Sequence, residues 1–138
     1  MAPTKNNLRH LLMQRSEWFE ERVLQEAEKH GYGFVTPSMN RLFAHMRHRP
    51  ISISDLARSL GISRQAAHQT LNEAMRHGLV ELVHFEGDKR VKLVRFSDKG
   101  FQMSAIAAKT IARIEQELAS HIGEEDMQTL RRILDKPW

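Results

Sequence analysis

The chain contains no cysteine, which removes disulfides, thiolate zinc sites and thiol-based redox sensing from consideration. No apolar run approaches the ~20 residues of a membrane-spanning helix. The opening MAPTKNNLRH lacks the apolar stretch of a secretory signal, so a cytoplasmic protein with no membrane partner is expected. There is no Gly-rich phosphate loop. The one G-x-G, Gly31-Tyr32-Gly33, follows a helical stretch rather than a strand, unlike a dinucleotide fingerprint. With no thiol nucleophile and no convergent acid/base pair, neither an enzyme nor a cofactor is expected.

Histidine, by contrast, is plentiful, with eight in the chain. His45 and His48 are spaced i, i+3 on one helical stretch, while His10, His30, His77, His84 and His121 are scattered. Tetrahedral zinc needs three or four converging ligands, and no tight second pair accompanies the first. Helix-surface histidines in a basic protein account for the pattern, and no metal site is expected.

A length of 138 residues and 41% hydrophobic content fit one compact domain with a real core. The net charge of +4 is unevenly spread. Residues 1–36 carry five Lys/Arg against five Glu, and residues 101–138 carry five against six acids. Residues 37–100 carry eleven Lys/Arg against six Asp/Glu. The whole positive excess lies in this middle segment, as a polyanion footprint requires.

Apolar spacing predicts one long amphipathic helix from residue 6 to about 29, through Leu8, Leu11, Leu12, Phe19 and Val23. Thr36-Pro37 reads as an N-cap with proline at the first helical position. The helix behind it carries Met39, Leu42, Phe43 and Met46 and is expected to end near Arg49-Pro50. Ser52-Ile53-Ser54-Asp55 fits a capping box, followed by the apolar stripe Ile53, Leu56, Ala57 and Leu60. Gly61 permits a tight turn. Ser63 then caps a helix to about His77, with Ala67, Leu71, Ala74 and Met75 on its buried side. Two strands follow, roughly 80–85 and 91–96, joined by Glu86-Gly87-Asp88-Lys89-Arg90. Ser97-Asp98 opens a helix to about His121, with Ile111, Ile114, Leu118 and Ile122 on one face, which Gly123 breaks. A last helix is expected to turn Met127, Leu130, Ile133 and Leu134 inward.

The order α-α-α-α-β-β-α-α is a mainly α fold with a small β-hairpin: a winged helix-turn-helix over residues 37–100, flanked by helices over 1–36 and 101–138. The two helices meeting at Gly61 place Arg64, Gln65, His68, Gln69 and Asn72 on one polar face of the second. A cationic hairpin with Asp88, Lys89 and Arg90 at its turn follows. One helix for the major groove and a basic finger beside it is how a small protein reads double-stranded DNA. The flanking helices carry more apolar surface than a winged helix can obviously cover. Either a second subunit covers it or the intramolecular core is oversized.

Several segments together resemble the MarR family of bacterial transcription regulators, over nearly the whole chain. They are Thr36-Pro37 with RLFAHM, the block ISDLARSLGISRQAAHQTLNEAMRHGLVE, the wing residues Asp88-Lys89-Arg90, and Phe96-Ser97-Asp98-Lys99-Gly100 at the spacing of the family's L-T-x-x-G. Two departures stand out. Leu82-Val83 occupies a place where arginines are common, and Phe85-Glu86 one where Asp-Pro is common. The resemblance implies a homodimer that binds a palindromic operator, usually to repress, and is often released by a small aromatic ligand.

The expected DNA-binding set is Ser52, Ser63, Arg64, Gln65, His68, Gln69, Asn72, Asp88, Lys89, Arg90 and Lys92. Arg pairs with guanine O6/N7 and Gln with adenine N6/N7. Ser63 and the first amides of its helix suit a phosphate. Arg90 suits a narrow minor groove, with Asp88 holding it or capping the turn, and Lys89 and Lys92 meeting phosphates. Trp18, Phe19 and Phe43 are either core or the wall of a site for an aromatic effector. The rival function is an architectural DNA binder with little sequence preference and no effector. The varied polar face, rather than a purely Lys/Arg one, argues against it.

Overall fold

A computed structural model describes residues 6–47 and 49–138. His48, half of the i, i+3 histidine pair, lies outside the described residues. Helix α1 (Leu8–Lys29) starts where the Asn7 side chain accepts the His10 N–H at 2.9 Å. Helix α2 (Pro37–His45) starts where the Thr36 hydroxyl accepts the Met39 N–H at 3.1 Å, with Pro37 in the first turn. It stops four residues short of Arg49-Pro50. Met46 turns extended (ψ 131°) with its side chain buried in the core, which aims the chain into a short strand the sequence did not reveal. That strand, β1 (Ile51–Ser52), pairs with only two residues and is too short to show a period-two pattern.

The hydroxyl of Ser52 accepts the Asp55 N–H at 3.1 Å and opens α3 (Ile53–Leu60), while the Asp55 carboxylate is engaged by Arg58 at 3.0 Å. Gly61 closes α3 in the left-handed region at φ +66°, where a side chain is strained. Two residues later Ser63 caps α4 (Arg64–Arg76) through the Ala66 N–H. Strands β2 (Val80–Phe85) and β3 (Asp88–Phe96) form an antiparallel hairpin, and β1 adds to the far side of β3 to give the order β1-β3-β2. The fold is thus helical with a three-stranded sheet rather than a lone hairpin. Helices α5 (Asp98–Ile122) and α6 (Glu124–Leu134) complete the chain.

The core lies among α2, α3, α4 and the sheet, where Met39, Leu42, Leu56, Leu71, Leu79 and Val94 are fully buried. Each large apolar side chain removed from water stabilises the fold by about 1.5–3 kcal/mol. Outside it, α1 packs on α5. Arg22 pairs with Glu117 at 2.6 Å and Glu26 with Arg113 at 2.9 Å, so the two helices run antiparallel. The hydrogen bond from Arg113 holds the Glu26 carboxyl below its ordinary pKa, with Lys29 adding to the effect.

The last helix corrects an expectation. Only Met127 of its apolar stripe is buried, whereas Leu130, Ile133 and Leu134 are 39–49% exposed. Ile111 and Ile122 of α5 are also exposed, as are Leu8, Leu11 and Leu12 at the start of α1. The described chain leaves a third or more of each in contact with solvent.

Where α4 gives way to β2, the start of α5 grips the backbone. The Ser97 hydroxyl donates to the Gly78 carbonyl, the Ser97 N–H to Leu79 O at 3.0 Å, and Lys99 Nζ to His77 O at 3.1 Å. The Ser97 hydroxyl also accepts the Gly100 N–H and so caps α5. Gly100 lies so close to the Leu79 carbonyl that a β-carbon would collide with it. Gly100→Ala should therefore force α5 off the α4–β2 junction and destabilise the protein by at least about 1–3 kcal/mol. Thermal denaturation checks this, and an unchanged midpoint would show that the approach is loose.

Candidate nucleic-acid interface

A helix-turn-helix works when the first helix holds the second at a fixed angle and leaves one face of it free. Ala67, Leu71 and Ala74 of α4 are buried and hold it against α2 and α3. The 3.6-residue period then turns Arg64, Gln65, His68, Gln69 and Asn72 outward, and all five are exposed. Among the described residues, none of the five makes a side-chain hydrogen bond or ion pair, so their donors and acceptors are available. Arg76, four residues after Asn72 and also exposed, extends the same row; the sequence reading left it out. Its i+4 spacing was the signal that could have found it. Ser63 is exposed at the N-terminus of α4, where unpaired amides and the positive end of the helix dipole suit an anion. Ser52 lies apart from this face, half-buried at the β1–α3 junction with its hydroxyl already engaged by Asp55.

The hairpin is tighter than the sequence suggested. Phe85 pairs with Asp88 across a two-residue turn, Glu86-Gly87, and β3 begins at Asp88 rather than Val91. The next pair is His84 with Lys92, so Lys89, Arg90 and Val91 are absorbed in an irregularity of β3. Bulges of this kind re-aim side chains at the end of a sheet. Within it, Asp88 Oδ1 accepts the Arg90 N–H at 2.9 Å and meets Arg90 Nε at 3.3 Å. One carboxylate thus fixes both the turn and the root of the guanidinium, although the Arg90 side chain remains 92% exposed. Lys89 and Lys92 are exposed on the same finger. Arg95 is not free in this way, because Glu81 on the opposite strand holds it at 2.8 Å.

The three aromatic residues considered for an effector site do not come together. Phe43 lines a cavity of about 290 Å³ between α1, α2 and α5, along with Val23, Tyr32, Met103 and Ile111. Trp18 and Phe19 lie outside that cavity. They meet edge to face at 5.0 Å, with Arg22 over the Trp18 ring. Among the described residues no group of three or more His, Asp or Glu side chains could hold a metal, and no helix is long and apolar enough to cross a membrane.

A capped second helix with a free polar face, a basic hairpin behind it and long helices on either side define a winged helix-turn-helix protein. Comparison with known proteins makes the class specific. Residues 36–91 match the model of the MarR family. No curated protein matches the chain by sequence. Among solved structures, the reduced form of MarR from E. coli superposes with a TM-score of 0.77 at 18% identity, covering 94% of each chain. The transcriptional repressor CouR, bound to a 23-mer DNA duplex, gives 0.73 at 22% identity over 97% of this chain and 94% of that one. A mutant of MepR from S. aureus gives 0.71 at 17% identity over 94% of each. Residues 36–91 are therefore similar to the MarR family, and the chain as a whole has the fold of MarR-family transcription regulators.

Proposed function

We propose that this protein is a transcription regulator that binds double-stranded DNA as a homodimer, without catalysis, and represses from an inverted-repeat operator. The observation that carries the reading is the unpartnered polar face of α4, presented behind the Ser63 cap next to a finger whose Arg90 is held by Asp88. Arg64, Gln65, His68, Gln69 and Asn72 supply the varied donors and acceptors that base edges require. Ser63, Lys89 and Lys92 supply phosphate contacts and Arg90 a minor-groove contact. CouR, of the same fold, was solved with duplex DNA.

Dimerisation is supported by the apolar surface left uncovered. Because α1 and α5 are antiparallel, the start of α1 lies towards the end of α5 and α6. Leu8, Leu11, Leu12 and Ile122, all exposed, lie towards that end, and α6, which turns back along α5 so that Arg131 meets Glu115, leaves Leu130, Ile133 and Leu134 exposed as well. A patch of this kind is what an isologous two-fold contact covers. A two-fold dimer also places two recognition helices about 34 Å apart, one turn of duplex. The cavity behind Phe43 supports release by a ligand. Its 290 Å³ stands at the small end of the usual range of about 300–1,000 Å³, which suits one aromatic ring.

Selection of bound duplexes from a random library, at fixed salt near physiological, tests the reading. Enrichment of an inverted repeat with half-sites about ten base pairs apart is expected. Binding with no enriched motif and a steep salt dependence would support an architectural protein instead. Sedimentation should give twice the mass of one 16.0 kDa chain, and a single-chain mass would remove the homodimer.

Two substitutions divide the labour. Arg64→Ala should lose about 1–3 kcal/mol of discrimination at one base position, read by competition between operator variants. Arg90→Ala should weaken binding and reduce the slope of log affinity against log salt by about one; an unchanged slope would take Arg90 out of the interface.

A further inference from the structure

The cationic finger carries an apolar end that phosphate contacts do not explain. Phe85 is 51% exposed, and Leu82 and Val91 on the same two strands are each 39% exposed. Phe85 is the last residue of β2, directly before the Glu86-Gly87 turn, and pairs with Asp88, whose carboxylate holds Arg90. The ring does not fold back into the core. It lies over the turn, where a β-carbon at Gly87 would come within 2.9 Å of Phe85 Cε1. The missing side chain at Gly87 therefore lets the ring occupy the extreme end of the hairpin. A large aromatic and an exposed guanidinium share one tip, flanked by Lys89 and Lys92.

We propose that Phe85 is a DNA-binding residue that wedges between two stacked base pairs in the minor groove, at the flank of each half-site, while Arg90 enters the groove beside it. The inference rests on the DNA-binding reading above and adds a contact to it. Around the ring Lys89, Arg90 and Lys92 outnumber Glu86 and Asp88, and this positive balance favours a polyanion as the occupant over an apolar protein surface. Apolar wedges of this type partly unstack a base step and kink the duplex, and an arginine in the narrowed groove accompanies them. Pyrimidine–purine steps unstack most readily, so the wedge gives sequence preference at positions without hydrogen-bonded base contacts.

The test uses the full chain and a duplex bearing its enriched inverted repeat, with 2-aminopurine placed at each flanking position in turn. Binding of the unaltered protein should raise 2-aminopurine emission at one flanking step per half-site, and selected duplexes should favour TA or CA there. Phe85→Ala should abolish the rise and weaken binding about tenfold per wing, the scale of one lost base–aromatic contact. Phe85→Leu, which keeps an apolar wedge, should retain part of both. No rise in emission with the unaltered protein would overturn the wedge without any variant, and so would a Phe85→Ala protein that unstacks and binds like the parent. In either case an enriched inverted repeat would leave the regulator reading standing. Failure of the unaltered protein to enrich any sequence would remove both.

Discussion

The placement of the recognition helix depends on the three successive carbonyls at its end. His77, Gly78 and Leu79 are each taken by the start of α5, through Lys99 Nζ, the Ser97 hydroxyl and the Ser97 N–H. Carbonyls at a helix C-terminus have no partner within the helix and must find one elsewhere. Here the partner is the next long helix, and Gly100 lets it approach within touching distance of Leu79 O. The exposed face of α4 is therefore held from both sides: Ala67, Leu71 and Ala74 fasten its inner face, and α5 fastens its end. A helix held only by its inner face could tilt. Secured at its end as well, it presents Arg64 through Arg76 at one angle.

The charge and apolar patterns follow the same division. The positive excess lies within residues 37–100, spread from α2 to the wing, while the terminal segments are near neutral and carry interhelical ion pairs. Exposed pairs of this sort contribute little stability each, about 0–1 kcal/mol. Their geometry still fits the antiparallel register of α1 against α5, which leaves exposed leucines and isoleucines on α1, α5 and α6. Under the dimer reading, the flanking helices join the copy and the middle segment meets the duplex.

Most of this architecture was legible in the sequence because it is written in local chemistry. Thr36, Ser52, Ser63 and Ser97 all cap as their types and positions suggest, and the buried faces of α3 and α4 follow the helical period. What was missed depends on contacts between distant residues. The end of α2 is set by the burial of Met46 and by β1, whose pairing with Leu93 and Val94 joins residues about forty apart. The five-residue connection read into 86–90 became a two-residue turn because Phe85 pairs with Asp88, leaving the surplus residues to an irregularity. Leu130, Ile133 and Leu134 have the spacing of a buried stripe, but spacing does not say whether the covering surface belongs to the same chain. Of the candidate interface, the α4 row was plain from its period. Arg76 was overlooked at the end of that row, and Phe85 was noticed only as a departure from the family pattern.

The aromatic residues show how near the cavity lies to the reading helix. Tyr32 lines the cavity and meets Phe34 edge-on at 6.2 Å. Phe34 stacks on His77 at 3.9 Å and nearly parallel, and Lys99 Nζ lies 5.6 Å from the centre of the Phe34 ring while bonding His77 O. His77 is the C-cap of α4. From the cavity wall to the end of the recognition helix there are thus only two ring contacts, and the second involves the same Lys99 that helps to secure the helix. Close-packed contacts shift between discrete arrangements rather than yielding smoothly. A chain of two rigid rings between cavity and helix end leaves little slack to absorb a displacement of Tyr32. Phe34 thus stands between Tyr32 in the cavity wall and His77 at the end of α4, and joins the two in one packing unit.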